Sequence, residues 1–575
     1  MSSTTEAAPP QAPSQSAAPP SQDAPSKPQG QKWQNKNGKQ NGKRQFQGQG
    51  GRRDPKQRKS KRERNITEGS SEEVLAADVQ AVIASRKDLF PEPMEVEAKV
   101  GESETVEKPK AVLPELFTEI EVEVLELSST GDGLAVQPDS PQVYVVPFVA
   151  PGDIAKIKVV RHVREENYSV ADFLSVIKPG PLRDDSRINC KYFSTCSGCQ
   201  FQMLDYDTQL AHKRTIVEKA YKNFSQLPPE LVPTIRDTIG SPLQYNYRTK
   251  LTPHFDGPPG FHRKGKPRKA LDKVPEVGFN AKGRRIVLDI EDCPIGTDAV
   301  RLGMKRERAR IARDFGNYTK GATILLRENT KRYPKDGEEQ PPAELPEDAV
   351  RVETDTHVDI KTCISEATGA MSSEYIDSFI FTNPANSFFQ NNNSILPKFT
   401  DYIRQHVMPP KGPNRDRIKY LIDAYSGSGL FTITLASLFK GSTGIDIAKD
   451  SIEYARKNAR LNNLPEEQCN FMAADAPELF KHVTYPPDET VVVIDPPRKG
   501  CDNDFLSQLL RHGPRRVVYV SCNVHTQARD VGVLVRGDGG DGTKYEIESL
   551  VGFDFFPQTG HVEGVAVLNR VEKDA

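Results

Sequence analysis

Long hydrophobic runs, a secretory leader and a dense set of cysteines are all missing from this 575-residue sequence. No apolar run reaches membrane-spanning length, and the first thirty residues are mainly Ser, Pro, Ala and Gln. Eight cysteines are too few for a disulfide scaffold in so long a chain. We therefore expect no membrane association and a reducing, intracellular compartment, in which thiols serve metal or nucleophile chemistry.

The net charge of −1 conceals an uneven distribution. Residues 1–64 carry fourteen Lys or Arg against four Asp or Glu, which leaves −11 for the rest of the chain. Low complexity predicts that residues 1–110 form a disordered basic arm and an acidic linker, interrupted by one helix capped by Ser70 and Glu73. Two functions stay open for the arm: a sequence-independent contact with phosphates, or a solubilising or nuclear-import tail.

The remaining sequence divides into three predicted domains. Five short alternating apolar segments in residues 111–183 indicate a small β-barrel. Residues 184–382 form a central domain that begins with closely spaced cysteines and contains a polar stretch, 329–350, expected to be an exposed insertion. Residues 383–575 alternate strand-like and helix-like segments, which predicts an α/β domain with a mostly parallel sheet covered on both faces.

A glycine-containing loop with the sequence DAYSGSGLFT begins at Asp423, between a predicted strand and a predicted helix. Asp446 ends the next strand, where its carboxylate is placed to accept hydrogen bonds from two ribose hydroxyls, and Asp475 ends the third. The loop lacks the third glycine of the dinucleotide fingerprint, so the pattern needs no pyrophosphate. It favours S-adenosylmethionine over a dinucleotide.

Three further segments follow strands of the same domain. Asp495 precedes two prolines and Arg498, where methyltransferases that act on base amines usually place an aromatic residue, so a carboxylate bonding a pyrimidine edge is the preferred interpretation. Cys522 follows an apolar strand and is a candidate nucleophile, with Cys501 as its rival. Glu563 precedes the last strand and would be a general base if it faced the same pocket.

Four cysteines have the spacing of a metal or cluster site. Cys190, Cys196 and Cys199 lie within ten residues, and Cys293 follows about a hundred residues later. On spacing alone, zinc fits four cysteines nearly as well as iron and sulfur. The amphipathic helix predicted between them, from Tyr206 to Phe224, would bring distant segments together.

These motifs together resemble the RNA uracil-C5 methyltransferase family, which forms 5-methyluridine in tRNA and ribosomal RNA. The shared motifs, in the family's order, are the four cysteines, FFQ at 388–390, YSGSG, DPPRKG, SCN and HVE. The resemblance covers residues 116 to about 570 and includes a barrel similar to a TRAM domain. The arm and the insertion resemble a eukaryotic, fungal-type member that methylates tRNA.

The resemblance implies a role for each candidate residue. Cys522 is the nucleophile and Glu563 the base. The cofactor or uracil contacts are Gln390, Tyr425, Asp446 and Asp495. The ligands of a [4Fe-4S] cluster, with zinc as the alternative occupant, are Cys190, Cys196, Cys199 and Cys293. The family also implies a Rossmann-like methyltransferase domain that uses S-adenosylmethionine, methylates the T-loop uridine at position 54 of tRNA, and works as a monomer in the nucleus, the cytoplasm or a mitochondrial pool.

Other functions were weighed against this interpretation. Cytosine-C5 methyltransferases usually place their nucleophile after threonine, whereas Ser521 precedes Cys522. Methylthiotransferases combine a similar barrel with a Cys-x3-Cys-x2-Cys motif, which this sequence lacks. Methylation of ribosomal RNA stays open, as does a tRNA-binding or folding module in which methylation is secondary.

Overall fold

The computed structural model describes most of the chain from Gly69 onward. The described residues are 69–86, 88, 113–138, 140, 142–258, 269–366, 368–410, 417–474, 480, 483–537 and 542–572. Contacts divide the chain between Lys59 and Ser60, and the described residues all belong to the second unit. The predicted basic arm 1–64 and Asp475 lie outside the described residues. Within the described ranges, no helix has the length and hydrophobicity needed to cross a membrane.

The predicted small barrel is confirmed as five strands that close in the order β1-β2-β3-β5-β4. The strands are β1 Glu119–Leu127, β2 Gly133–Val136, β3 Val143–Val146, β4 Ile154–Val163 and β5 Tyr168–Lys178. Alternate residues of β4, among them Ala155, Ile157 and Val159, are buried in the barrel core. This period-2 burial is what the alternating sequence predicts.

One helix, α1 (Ser71–Ser85), precedes the barrel and confirms the predicted capped helix. The Ser70 hydroxyl accepts a hydrogen bond from the backbone N–H of Glu73, and the Glu73 carboxylate accepts one from the N–H of Gly69 at 2.6 Å. These reciprocal bonds satisfy free N–H groups at the start of the helix, as a capping box does.

The central region combines two long helices with small antiparallel sheets. Its helices are α2 Tyr206–Phe224 and α3 Asp298–Asp314. Its strands are β6 Lys250–Leu251, β7 His254–Phe255, β8 Ala322–Thr323, β9 Leu326–Pro334, β10 Val350–Glu353, β11 His357–Ile364, β12 Met371–Ile376 and β13 Phe379–Pro384. They pair as a four-stranded sheet in the order β10-β11-β9-β6, as the hairpin β12-β13, and as a two-stranded sheet of β7 with β8. β13 runs across the predicted domain boundary at residue 382; the other predicted boundaries stay predictions.

The prediction of an exposed insertion at 329–350 is wrong for residues 329–334. Residues 329–334 belong to β9, which pairs with β11 along its whole length. Arg332 pairs with Asp359 of β11 at 2.8 Å, while Thr330 and Tyr333 are buried. Cross-strand ion pairs therefore let a charged segment form a strand, and the intervening loop is confined to residues 335–349.

Helix α2 connects the central region to the C-terminal domain, as its amphipathic sequence predicts. Its buried face includes Val217 and Tyr221, and also the charged Lys213, which forms a fully buried ion pair with Asp554. The hydroxyl of Tyr206 donates to the same Asp554 carboxylate at 2.9 Å. The helix thereby fixes the loop that leads to Glu563.

The C-terminal domain is a seven-stranded sheet in the order β16-β15-β14-β17-β18-β20-β19. The strands are β14 Tyr420–Ala424, β15 Gly441–Asp446, β16 Cys469–Ala473, β17 Thr490–Ile494, β18 Arg516–Ser521, β19 Tyr545–Phe553 and β20 Glu563–Arg570. The helices are α4 Leu396–His406, α5 Leu430–Leu435, α6 Lys449–Leu461, α7 Asn503–His512 and α8 Val524–Arg536. β20 runs antiparallel to both of its neighbours, β18 and β19, so the other strands of this sheet share one direction and the carboxyl ends of β14 to β18 meet at one edge.

Candidate active site

Cys522 and Glu563 meet because β18 and β20 are antiparallel neighbours. Ser521, the last residue of β18, pairs with Gly564 of β20. Cys522 therefore follows β18 at the point where Glu563 begins β20. Glu563 is only 3% exposed, and its carboxylate raises the pKa of the Cys522 thiol, as expected for adjacent groups. The structure thus brings the predicted nucleophile and base together.

Burial dominates the electrostatics of this pair. It raises the pKa of Cys522 to about 12, with further increases from Glu563 and Asp495, while the Arg498 guanidinium acts in the opposite direction. Burial and the Asp495 carboxylate also hold the pKa of Glu563 well above its usual range. Burial raises the pKa of Asp495 to about 7. These shifts favour the protonated forms of Cys522 and Glu563 in the free protein, and Arg498 is placed to stabilise negative charge at the pair.

A cavity of about 350 Å³ opens beside Cys522. Segments that lie far apart in the sequence form its wall. The lining residues are Gly69, Ser70, Ser71, Val74, Ser129, Thr130, Gln200, Ile216, Arg498, Lys499, Cys522, Asn523, Val524, His525, Gly560, His561 and Val562. The cavity therefore joins the start of α1 and the barrel to the loops at the edge of the C-terminal sheet.

The rival nucleophile, Cys501, lies in the core. Its side chain is 5% exposed, and its sulfur contacts the Tyr519 hydroxyl at 3.6 Å. Its backbone N–H donates to Asp530, and burial raises its pKa. Cys501 is absent from the lining of the cavity, so the structure favours Cys522.

Three residues of the glycine loop after β14 adopt a left-handed backbone conformation. Tyr425, Gly427 and Gly429 all have positive φ angles, at 66°, 53° and 94°. A Cβ atom on Gly429 would lie 2.9 Å from the Phe471 ring, whereas one on Gly427 would meet no atom within 4 Å. The loop is therefore packed on one side and open on the other, where a ligand can approach its backbone.

Asp446 fixes this loop from the end of the next strand. Its carboxylate accepts hydrogen bonds from the N–H of Gly427 at 3.0 Å and from the N–H of Ala448 at 2.8 Å. Each carboxylate oxygen keeps a lone pair for a further donor. Asp446 thus lies beside the open side of the glycine loop, as the sequence predicts for a ribose contact.

Asp423, the last acid before the glycine loop, was given no role in the sequence-based assignment. One of its oxygens accepts from both the backbone N–H and the hydroxyl of Thr432, at 2.9 and 2.6 Å. The other oxygen is buried and has no partner among the described residues. Burial raises its pKa to about 7. Its position at a strand's carboxyl end, like that of Asp446 and Asp495, was the available signal.

The other two predicted contacts, Tyr425 and Gln390, differ in their surroundings. The Tyr425 ring packs against Phe505, with ring centres 5.3 Å apart, so its side chain faces the core while its backbone enters the glycine loop. Gln390 is half-buried and precedes Asn391, whose carbonyl accepts from the N–H of Thr249 at 2.8 Å. That bond ties the FFQ segment to the central region.

The four predicted cluster cysteines converge in the central region. Cys190, Cys196 and Cys199 each raise the pKa of Cys293, and burial is the larger cause of the rise, to about 12. Backbone N–H groups approach three of the sulfurs and favour their ionised forms. The donors are Tyr192 and Phe193 to Cys190, Gly198 to Cys196, and Ile295 to Cys293. Within the described residues, no group of three or more His, Cys, Asp or Glu side chains is arranged to hold a metal ion.

Comparisons with known proteins agree with this geometry. Residues 376–571 match the model of the tRNA (Uracil-5-)-methyltransferase family. The chain is 44% identical over 469 residues to the tRNA (uracil(54)-C(5))-methyltransferase of Schizosaccharomyces pombe, covering 81% of each chain. It is 40% identical to the enzyme of that name from Saccharomyces cerevisiae, over 78% of this chain and 73% of the other.

A solved structure gives the same result. The chain is similar to the Pyrococcus abyssi tRNA (uracil-54, C5)-methyltransferase in complex with S-adenosyl-L-homocysteine, with a TM-score of 0.52 and 25% identity. The match covers 78% of this chain and all of that one. The barrel, the parallel sheet and the paired Cys522 and Glu563 thus occur in a chain that belongs to the tRNA (uracil-5-)-methyltransferase family.

Proposed function

We propose that this protein methylates C5 of uridine 54 in the T-loop of tRNA, with S-adenosylmethionine as methyl donor. The observation that carries the proposal is the meeting of Cys522 and Glu563 where β18 ends and β20 begins, with Cys522 in the wall of a cavity of about 350 Å³. A thiol beside a buried carboxyl group is what uracil C5 chemistry requires. The 44% identity to a relative named for uracil 54 supports the tRNA position.

The edge of the sheet fits S-adenosylmethionine. The open side of Gly427 leaves room for the cofactor, and Asp446 would accept hydrogen bonds from its ribose hydroxyls. The unpartnered, buried oxygen of Asp423 suits the cofactor's ammonium group. The resemblance adds Gln390 and Tyr425 to this set. When bound there, S-adenosylmethionine supplies the methyl group that uracil C5 receives.

Cys522 would activate the substrate. Its thiolate adds to C6 of uracil, a carbon–sulfur bond forms, and the C5–C6 π electrons move toward the C4 carbonyl to give an enolate. Carbon 5 thereby becomes nucleophilic, which it is not in free uracil. Arg498, which already favours the ionised form of Cys522, would stabilise the negative charge. Because neither carbon is reachable within a base stack, the target base must be flipped out, at a cost of a few kcal/mol.

Glu563 would complete the reaction. After C5 carries the methyl group, the Glu563 carboxylate accepts the C5 proton, the C5–C6 double bond re-forms, and the Cys522 thiolate leaves. The buried Glu563 has a raised pKa, which makes its ionised form a stronger base than an exposed glutamate. The Asp495 carboxyl, which lies close enough to raise the pKa of both Cys522 and Glu563, would bond the uracil edge.

The four cysteines are proposed to hold a [4Fe-4S] cluster rather than zinc. Cys190, Cys196, Cys199 and Cys293 influence one another electrostatically, and backbone N–H groups approach their sulfurs, as is common around iron–sulfur clusters. The bound cluster would cross-link the segment before α2 to the segment before α3.

The barrel is proposed to act as a TRAM-like module that contacts the tRNA backbone. It contributes Ser129 and Thr130 to the cavity that contains Cys522, so RNA bound there would also reach the barrel. The proposal further includes a monomeric enzyme in an intracellular compartment, with nuclear, cytoplasmic and mitochondrial pools as the alternatives.

A methylation assay tests the proposed function. The purified protein is incubated with unmodified tRNA transcript and S-adenosylmethionine, and the product is digested and analysed by mass spectrometry. We expect 5-methyluridine at position 54 and none in a matched transcript that carries cytidine there. Modification of a ribosomal RNA fragment alone would overturn the tRNA assignment. Restored tRNA folding by Cys522→Ala in cells would favour the folding-module alternative.

A further inference from the structure

Helix α1 lies against the cavity that contains Cys522, although it precedes the barrel in the sequence. Gly69, Ser70, Ser71 and Val74 contribute to the wall of the cavity. The carbonyl of Gly69 accepts a hydrogen bond from the side-chain amide of Asn523 at 3.1 Å, across 454 residues of sequence. The start of α1 is therefore in direct contact with the residue that follows the nucleophile.

This contact is closely fitted. Gly69 has a φ of 71°, and a Cβ atom there would lie 2.4 Å from the methyl group of Thr526. The same Asn523 amide also donates to the carbonyl of Arg498 at 3.0 Å. One side chain thus joins the start of α1, the loop of Cys522 and the loop of Arg498.

The rest of α1 is firmly anchored to the barrel. Val79 and Val82 are at most 2% exposed and pack in one cluster with barrel residues. Asp78, 1% exposed, accepts hydrogen bonds from the backbone N–H and the hydroxyl of Ser129, and the Lys219 ammonium lies 3.8 Å away. Breaking such a buried, bonded carboxylate is costly, so α1 is a fixed wall of the cavity rather than a transient cover.

The opposite side of the cavity is suited to nucleic acid. Arg498 and Lys499 supply positive charge, and His525, 8% exposed, has a ring nitrogen without a partner in the described part of the chain. The volume of about 350 Å³ lies within the range of about 300–1,000 Å³ that holds drug-sized ligands. The cavity therefore has room for a nucleotide between these residues and α1.

We propose that Gly69–Val74 of α1 form part of the RNA-binding wall of the active site and contact the tRNA beside the target uridine. The inference rests on the proposed function, because that function places the uracil at Cys522. It adds a binding element that neither the methyltransferase domain nor the barrel supplies. It also gives the docking of α1 on the barrel a role in substrate affinity.

Substitutions in the full-length protein separate this role from folding. Val79→Asp places a charge in the barrel contact and should undock α1, while Ala84→Asp adds the same charge on the exposed face of the helix. Gly69→Ala crowds Thr526 and the Asn523 amide and strains a backbone whose φ is 71°, but it leaves the barrel contact of α1 in place. We expect Val79→Asp and Gly69→Ala to raise KM for tRNA at least fivefold, with S-adenosylmethionine affinity changed less than twofold by calorimetry. For Ala84→Asp, we expect the KM for tRNA and the S-adenosylmethionine affinity to equal those of the unmodified protein.

Unchanged KM in Val79→Asp and Gly69→Ala would overturn the inference, and increased activity would identify α1 as an inhibitory cover instead. If Val79→Asp loses cofactor binding, Gly69→Ala decides alone, since it leaves the barrel contact intact. Direct tRNA binding by fluorescence anisotropy provides a second readout. If the full-length protein binds tRNA without forming 5-methyluridine, the proposed function is wrong. Weaker tRNA binding by Gly69→Ala would still support the inference that the start of α1 contacts the tRNA.

Discussion

At the scale of single residues, the pairing of Ser521 with Gly564 lets Cys522 and Glu563 divide one reaction between them. If thiol addition comes first and proton removal last, Cys522→Ala should form no covalent adduct with RNA. Glu563→Gln should methylate C5 and then stall with RNA attached through sulfur. Incubation with tRNA and S-adenosylmethionine followed by a denaturing gel should show a slow-migrating species for Glu563→Gln only.

The control for this experiment is the buried Cys501, whose replacement by alanine should leave the adduct of Glu563→Gln in place. The adduct should also form faster as the pH rises from 6 to 9, because burial raises the pKa of the Cys522 thiol and more thiolate is present at higher pH. If the adduct survives the replacement of Cys522 but disappears when Cys501 is replaced, then Cys501 is the nucleophile and the assignment of Cys522 is wrong. Full turnover by Glu563→Gln would show that a group other than Glu563 accepts the C5 proton.

Asp446 offers a separate test of the cofactor site. Hydrogen bonds to a charged carboxylate contribute roughly 1.5–3 kcal/mol each, so Asp446→Ala should weaken S-adenosylmethionine binding at least tenfold. Asp450→Ala removes an exposed carboxylate from the first turn of α6 and is the matched control. Calorimetry measures both. Equal affinities in the two folded variants would remove Asp446 from the cofactor site.

The site residues that belong to sequence motifs could be predicted from the sequence. The site features that depend on contacts between distant segments could not. SCN and HVE identify Cys522 and Glu563 from the resemblance, and the pairing of β18 with β20 then brings them together. The unpartnered oxygen of Asp423 becomes visible only when its surroundings are known. The bond between Gly69 and Asn523 spans 454 residues, a separation that no local pattern reports.

At the scale of helices and strands, burial explains which boundaries the sequence could predict. Parallel strands covered on both faces are nearly continuous apolar runs, so β14 and β18 were predictable to within a residue or so. β9 was missed because its charges are matched across the sheet, as Glu328 is by Lys361 at 2.8 Å. The sequence of such a polar strand resembles that of a loop when the partner strand that stabilises it is not known.

The proposed iron–sulfur cluster concerns the arrangement of whole elements, because the four cysteines proposed to hold it come from the segments before α2 and before α3. Anaerobically purified protein should be brown with broad visible absorption, since iron–sulfur clusters show thiolate-to-iron charge transfer. Cys196→Ser should bleach it, whereas Cys469→Ser, which changes a buried cysteine in β16, should keep the colour. A colourless protein with stoichiometric zinc by metal analysis would refute the iron assignment.

At the scale of the whole molecule, the domains contribute to one site in unequal ways. The C-terminal sheet carries Cys522 and Glu563, while the barrel and α1 supply wall residues such as Ser129 and Val74. Helix α2 holds the loop before Glu563 through the buried pair of Lys213 and Asp554. Chemistry is therefore placed on the rigid sheet, and the added domains shape access to it.

The charge distribution predicts how the N-terminal arm contributes to binding. Residues 1–64 hold fourteen Lys or Arg in a chain whose remainder is net negative. Deleting them should lower tRNA affinity and flatten its salt dependence, because each phosphate contact contributes about 0.7–0.9 to the slope of log affinity against log salt. The methylated nucleotide should stay the same, since phosphate contacts position RNA without specifying sequence. A full-length variant with these Lys and Arg residues changed to Gln should behave like the deletion, and a shifted methylation site in either protein would show that the arm recognises sequence or shape.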